Sequence, residues 1–363
     1  MAKSADYKLG EFAFPRGWFA VANAADVDKK PLSTRYFGEE VVIFRGESGK
    51  PVMLEAYCPH MGAHLGRSRT SYIVQSGQHV EGDSIRCPFH GWRFGPDGLC
   101  NDIPYFDGPI PERARLRSWP AQERYGIVFC WNDPEGLEPD FELPDFPEWD
   151  DPQWMRWSGL DHLADLPCHP IEIFDNNSDY AHLRYTHGGD VKAYENEVDG
   201  YLYRQRETLV GMTEGIGDSF GDERRISTIN SYVGPGLNAA RFLEANGAQL
   251  IAVTPIEDGS ARLWQCAMVK RPDGVSDEQA REILVHFNQN MAQGLGEDDG
   301  DIWANKRAAT QILQLPTDGP IGQARIWYSQ FFNPRAKAES ITRRVAGLHY
   351  VRGVPAFSKI AAE

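Results

Sequence analysis

The chain has 363 residues, with 37 Lys plus Arg against 52 Asp plus Glu and a formal net charge of −15. Such an acidic field repels phosphate backbones and anionic lipid headgroups, which excludes nucleic acid and membrane surfaces as expected partners. A hydrophobic fraction of 41% and an aromatic fraction of 12% exclude a disordered chain, and the length predicts two or three domains.

The opening stretch, MAKSADYKLGEFAFPRGWFA, lacks the apolar run of a signal peptide. No later segment approaches the roughly 20 apolar residues of a spanning helix, so a cytoplasmic protein is expected. Its six cysteines, at 58, 87, 100, 130, 168 and 266, are then expected to be mostly reduced, and any at ligand spacing to bind metal. From residue 16 to 135, short β-rich runs such as Trp18–Val21, Val41–Phe44, Val52–Leu54, Ile85–Cys87 and Tyr125–Phe129 alternate with turn residues, which predicts a small all-β domain. Prolines at 134, 139, 144, 147 and 152 mark an acidic connector, which puts the two domains at 1–135 and 136–363.

In the second domain Gln249–Thr254 and Ala261–Val269 read as strands of another sheet. A long helix follows: Ser276 and Gln279 form a capping box, and Ile283, Phe287, Met291 and Leu295 recur every four residues as one apolar face turned to that sheet. Residues Phe357 to Glu363 are expected to be an untethered tail.

Two groups of residues carry chemistry. Cys58-Pro59-His60 and Cys87-Pro88-Phe89-His90 each offer one thiol and one imidazole, from two turns of the β domain. This two-plus-two set suits zinc or a Rieske [2Fe–2S] cluster, in which both thiolates sit on one iron and both imidazoles on the other. Zinc sites usually pair Cys with Cys and His with His, so the mixed loops favour the cluster. Imidazole ligation raises the potential above that of an all-Cys ferredoxin, which suits acceptance of an electron from a ferredoxin or flavin reductase. Twenty-six residues, Met61 to Arg86, separate the loops, and their polar part, Ser68 to Val80, reads as a surface loop. His64 and His79 are expected to be surface or packing residues.

Asp179, His182 and His187 follow as D-x2-H-x4-H. Asp179 and His182 would share a helix face, and Gly188-Gly189 supplies the helix end that lets His187 rejoin them. Two imidazoles plus one distant carboxylate make the facial triad of non-haem Fe(II) oxygenases. The stretch Glu297-Asp298-Asp299-Gly300-Asp301 offers that carboxylate, with Asp298, Asp299 and Asp301 as alternatives.

With C-P-H-M-G-A-H, C-P-F-H-G-W and D-x2-H-x4-H in one chain, the sequence resembles Rieske non-haem iron oxygenases over nearly its full length. It is similar to their homotrimeric branch, and Pro147-Glu148-Trp149, Asp175-Asn176 and Trp327-Tyr328-Ser329-Gln330-Phe331 resemble the 3-ketosteroid 9α-hydroxylase-type enzymes. The resemblance implies an α+β fold: an N-terminal all-β Rieske domain, then a helix-grip (START-like) catalytic domain with an antiparallel sheet and long helices. It implies Cys58, His60, Cys87 and His90 as cluster ligands. It implies His182, His187 and, from the pattern D-x-x-I-W, Asp299 as ligands of a mononuclear Fe(II). Asp179 would link His182 to a cluster-ligating His90 across a head-to-tail trimer.

The resemblance also implies O2 as co-substrate and monohydroxylation of an apolar, steroid-like small molecule. Oxidative O- or N-demethylation, hydroxylation of a small aromatic ring, and electron carriage without oxygenase activity are the alternatives. NAD(P)H would act through a separate ferredoxin or flavin reductase, since the chain has no G-x-G-x-x-G fingerprint. Against the net charge of −15, that donor is expected to dock on a local basic patch. Phe220, Tyr232, Phe242 and Leu243 are candidate cavity walls, and Arg204, Arg206, Arg224, Arg225 and Arg241 decide by their direction whether the substrate is neutral or anionic.

Overall fold

The computed structural model describes residues 1–211 and 225–360. Two compact units emerge, Ala20–Asn132 and a second formed by Met1–Phe19 with Asp133–Glu363. The break after Asn132 lies close to the expected division after residue 135, whereas the first 19 residues group with the C-terminal unit instead of the β domain. The physical reason is a set of tethers. Ser4 donates to Asp258 and Tyr7 to Glu172, while the main-chain N–H groups of Phe12 and Arg16 donate to the carbonyls of Phe332 and Phe331.

The unit Ala20–Asn132 is built from short antiparallel strands. One four-stranded sheet orders Leu32–Tyr36, Glu39–Arg45, Pro51–Glu55 and Ser118–Trp119, and another orders Val80–Glu81, Ser84–Arg86, Arg93–Phe94 and Cys100–Asp102. Val41-Val42-Ile43-Phe44 is fully buried, as expected of a β-branched run at the centre of a sheet. Val42, Phe44, Leu54, Ile85 and Phe94 form a core that also contains Cys58 and Cys87. Between the two Cys loops, the spacer holds one short helix, Tyr72–Gln75, capped by Ser71.

In the second unit a nine-stranded antiparallel sheet follows the connector. Trp154–Met155 and Asp161–Leu166 both pair with Ser260–Lys270, and the order continues through Gly247–Glu257, Leu237–Phe242, Ile226–Val233, Leu202–Val210, Asp190–Asp199 and Gly347–His349. The long helix, Asp277–Gln293, has the expected capping box, with Ser276 Oγ accepting from Gln279 N–H at 3.2 Å and Gln279 Oε1 from Ser276 N–H at 2.9 Å. Phe287 and Met291 are buried on its sheet side, Phe287 meeting Phe242 edge to face at 5.9 Å. A side chain at Gly247 would put its Cβ 2.3 Å from the Phe287 ring. Gly247→Ala is therefore expected to cost about 1–3 kcal/mol by overpacking, read as a lower denaturation midpoint.

The described part of the expected tail, from Phe357, is not free, nor is the stretch leading to it. Val351 is buried in a cluster with Leu183, Leu209 and Met291, Tyr194 N–H donates to the Pro355 carbonyl, and Ser358 Oγ donates to Glu195 at 2.9 Å. The apolar residues Val351, Val354, Ala356 and Phe357 supply the burial that holds it, a pattern too short to read from periodicity. No helix among the described residues is long and apolar enough to cross a membrane.

Candidate functional site

In the β unit, the two Cys loops are the same turn built twice. Gly62 N–H donates to the Cys58 carbonyl at 2.9 Å, and Gly91 N–H to the Cys87 carbonyl at 3.0 Å. Both glycines have left-handed backbones, φ 74° and 75°, which only glycine adopts without strain. A Cβ on Gly91 would also meet Pro104 at 2.9 Å. The turns bury the two sulfurs side by side, in hydrogen-bond contact with each other, and direct main-chain N–H groups of His60, Phe89 and His90 at them. The Cys58 contact and the N–H groups of Phe89 and His90 favour thiolate at Cys87, whose pKa is lowered to about 6, while that of Cys58 is raised by its bond to Cys87.

The imidazoles lie outward of the sulfurs. His60 and His90 have ring centroids 4.8 Å apart, and Trp92 stacks on His60 at 4.5 Å. Two adjacent thiols beside two adjacent imidazoles fit the donor set of a Rieske cluster, with both thiolates on one iron and both imidazoles on the other. His64 accepts from Gly66 N–H and packs against Tyr57.

In the C-terminal unit, His182 lies on the helix Tyr180–Tyr185 and His187 just beyond it, where Gly188 has φ 69°. Asp179 is the N-cap, its Oδ1 accepting from the N–H groups of Ala181 and His182 at 3.0 and 3.3 Å. His182 Nδ1–H donates to the Asp179 main-chain carbonyl at 2.5 Å, which leaves Nε2 as the donor atom for a metal. The rings of His182 and His187 are 5.4 Å apart.

Asp299 comes from a distant part of the sequence. The long helix widens into a π-helical turn, Gly294–Asp299, before the helix Gly300–Asn305, and the wider turn places Asp299 inward. Its Oδ2 lies 3.5 Å from His187 Nε2, and one donor atom from each of His182, His187 and Asp299 falls within 4.8 Å of the others. Asp301 is exposed and bonded to Asn305, and Asp298 lies outside the cluster. Burial pushes the His182 pKa down, whereas Asp299 overcomes burial at His187 and pushes it up. Two imidazoles and one carboxylate fit the facial triad of non-haem iron.

This triad opens on a cavity lined by the inner face of the sheet and by Met291, Leu295 and Trp303. Tyr232 and Phe242 line it as expected, while Leu243 is exposed and not in the wall. Phe220 and Arg224 lie outside the described residues. Arg204 and Arg206 pair with Glu197, Arg241 with Glu148 and Arg225 with Glu244, and no Lys or Arg is in the described wall.

Sequence reasoning missed the polar strip on the sheet's inner face: Gln205, Glu207, Thr228, Asn230, Asn238 and Gln249. Asn230 Nδ2 donates to Gln205 at 2.7 Å, and Gln205 Nε2 to Glu207 at 2.8 Å. Burial raises the Glu207 pKa to about 8, so its carboxyl is mostly uncharged at pH 7. Gln205 and Glu207 alternating with Arg204 and Arg206 in one strand were the available signal, since period two sends the two sets to opposite faces.

A Rieske [2Fe–2S] domain model matches residues 17–120, and the model of the 3-ketosteroid 9α-hydroxylase C-terminal domain matches residues 130–332. The probable 3-ketosteroid-9-alpha-monooxygenase oxygenase component of Rhodococcus rhodochrous is 36% identical, over 88% of this chain and 80% of its own. The chain belongs to the Rieske oxygenases of the 3-ketosteroid 9α-hydroxylase family. The Mycobacterium tuberculosis 3-ketosteroid-9-alpha-monooxygenase oxygenase component is 31% identical, over 88% of this chain and 82% of its own. Dicamba monooxygenase bound to dicamba shares the fold, with a TM-score of 0.63 at 19% identity over 90% of this chain and 97% of its own. The family carries a Rieske cluster and non-haem iron, and its α+β architecture of an all-β domain followed by an antiparallel sheet with helices is the one found here.

Proposed function

We propose that this chain is the oxygenase component of a multicomponent monooxygenase that hydroxylates a neutral, steroid-like small molecule. The observation that carries the substrate class is the cavity wall beside His182, His187 and Asp299, which is apolar and amide-lined and has no described Lys or Arg. A carboxylate substrate would lack a clamp there, whereas a polycyclic ketone or alcohol finds apolar surface together with hydrogen-bonding amides. The relatives named as 3-ketosteroid monooxygenases support the same choice.

Cys58, His60, Cys87 and His90 would hold the cluster, and His182, His187 and Asp299 the iron(II). When bound, the cluster stores single electrons and the iron activates O2 beside substrate. The protein's own part is positional. The Asp179 carbonyl fixes the His182 ring, and Asp299 brings its carboxylate to His187. Met291, Leu295 and Trp303 line the wall near Asp299 and limit the space open to water. Electrons would come from NAD(P)H through a separate reductase or ferredoxin. In a homotrimer, Asp179 would connect His182 to His90 of the partner subunit.

The test is NADH and O2 consumption with a reductase against steroids, aryl ethers and aromatic acids. Turnover coupled to product with neutral steroids is expected. Coupled turnover confined to aromatic acids would overturn the substrate class.

A further inference from the structure

The three triad residues come from two distant parts of the sequence, and residues 306–320, which follow Asp299, make contacts with the residues just before His182. This segment leaves the helix Gly300–Asn305, which directly follows Asp299, and ends at the helix Ile321–Ser329. It has no regular secondary structure, yet both of its feet are fixed.

The first foot rests on Glu172, in the short helix Pro170–Phe174 that leads toward the histidines. Glu172 is 1% exposed. Its Oε1 accepts from Ala309 N–H at 2.7 Å and from Tyr7 O–H at 2.6 Å, and its Oε2 lies 2.5 Å from Lys306 Nζ. The Ala309 carbonyl is held as well, accepting from Arg325 at 2.7 Å, and Arg325 in turn pairs with buried Asp175. Both main-chain polar groups of Ala309 are thus clamped by charged residues, and two members of this network, Glu172 and Asp175, lie within ten residues of His182.

The second foot rests on the start of the histidine helix. Tyr180 N–H donates to the Asp318 carbonyl at 3.0 Å, and Asp318 closes a local turn by accepting from Leu315 N–H at 2.6 Å. Gly319 has φ 106°, and a Cβ there would lie 2.0 Å from the Ser178 carbonyl oxygen. Only glycine lets the segment approach this closely, because the obstacle is main chain and not a side chain that can turn away.

We infer that residues 306–320 are a spacer strap that sets the distance between Asp299 and the two histidines, with Glu172 and Gly319 as positioning residues for the iron. Neither residue touches the donor atoms; each acts through the element it fixes. The inference rests on the assignment of His182, His187 and Asp299 as iron ligands.

The test is an Fe(II) titration of the full-length protein, stripped of mononuclear iron with its cluster retained, alongside the melting temperature. Glu172→Met, which removes all three contacts, is expected to weaken Fe(II) binding about 10-fold or more, in the range seen when outer supports of a metal site are removed. Glu172→Gln keeps an acceptor for Tyr7 and Ala309, and Lys306 is exposed enough to turn to solvent, so binding within about 3-fold of the wild type is expected. If Glu172→Met does not fold, Gly319→Ala carries the test from the other foot, with the same expected loss. A lower melting temperature with unchanged Fe(II) affinity in Glu172→Met and Gly319→Ala would reduce the strap to a stabilising element and overturn the inference. Asp299→Ala serves as the control: wild-type affinity in that variant would overturn the ligand assignment itself.

Discussion

An Asp299→Ala variant is expected to lose its mononuclear iron and keep its [2Fe–2S] cluster. The donor atoms of His182, His187 and Asp299 lie within 4.8 Å of one another, and the carboxylate is the only anionic member. Loss of an outer support typically costs 10–100-fold in metal affinity, so loss of a direct ligand is expected to exceed about 100-fold. The cluster residues sit in the other compact unit and do not depend on Asp299. Asp301→Ala is the matched control, because Asp301 is exposed and bonded to Asn305. Iron quantified against cluster absorbance reads both variants; retention of all iron in Asp299→Ala would refute the triad.

Asp179→Asn is expected to keep both metal centres and to lose about 10–100-fold in product-coupled turnover. The substitution is chosen from the local geometry. Asn caps a helix as well as Asp, so the bonds to Ala181 and His182 N–H survive. The His182 ring is held by the main-chain carbonyl of residue 179, which the change leaves intact. What is removed is the negative charge proposed to link His182 to His90 of the partner subunit. Wild-type coupled turnover would remove the carboxylate from that link, and loss of iron would show that its role is structural.

The sequence revealed chemistry more readily than walls. Cys58, His60, Cys87 and His90 were legible because two thiols and two imidazoles paired at such short spacing rarely serve packing alone. His182 and His187 were legible because a helix end at Gly188-Gly189 brings them together. Asp299 was harder, since three aspartates in four positions, Asp298, Asp299 and Asp301, fit by spacing until the π-helical turn places one of them inward. The antiparallel sheet and the capped long helix followed from period-two and period-four patterns. The attachment of residues 1–19 and of the C-terminal tail was not legible, because both depend on long-range bonds such as those from Ser4, Tyr7 and Ser358 and on apolar contacts too few to form a periodic pattern. The polar cavity strip was missed for a related reason: an amide in a strand looks the same whether it faces solvent or a cavity. Its direction also settled the arginine question, since residues 204 and 206 must face away from residues 205 and 207.

The central claim is oxygen insertion into a neutral, steroid-like substrate by the reductase-driven protein. Turnover of a 3-ketosteroid with NADH and a reductase under 18O2, followed by mass spectrometry of the product, tests it most directly. A monohydroxylated product carrying one labelled oxygen atom is expected, in proportion to the NADH consumed. A product whose oxygen comes from water, or O2 consumption without any hydroxylated steroid, would contradict it.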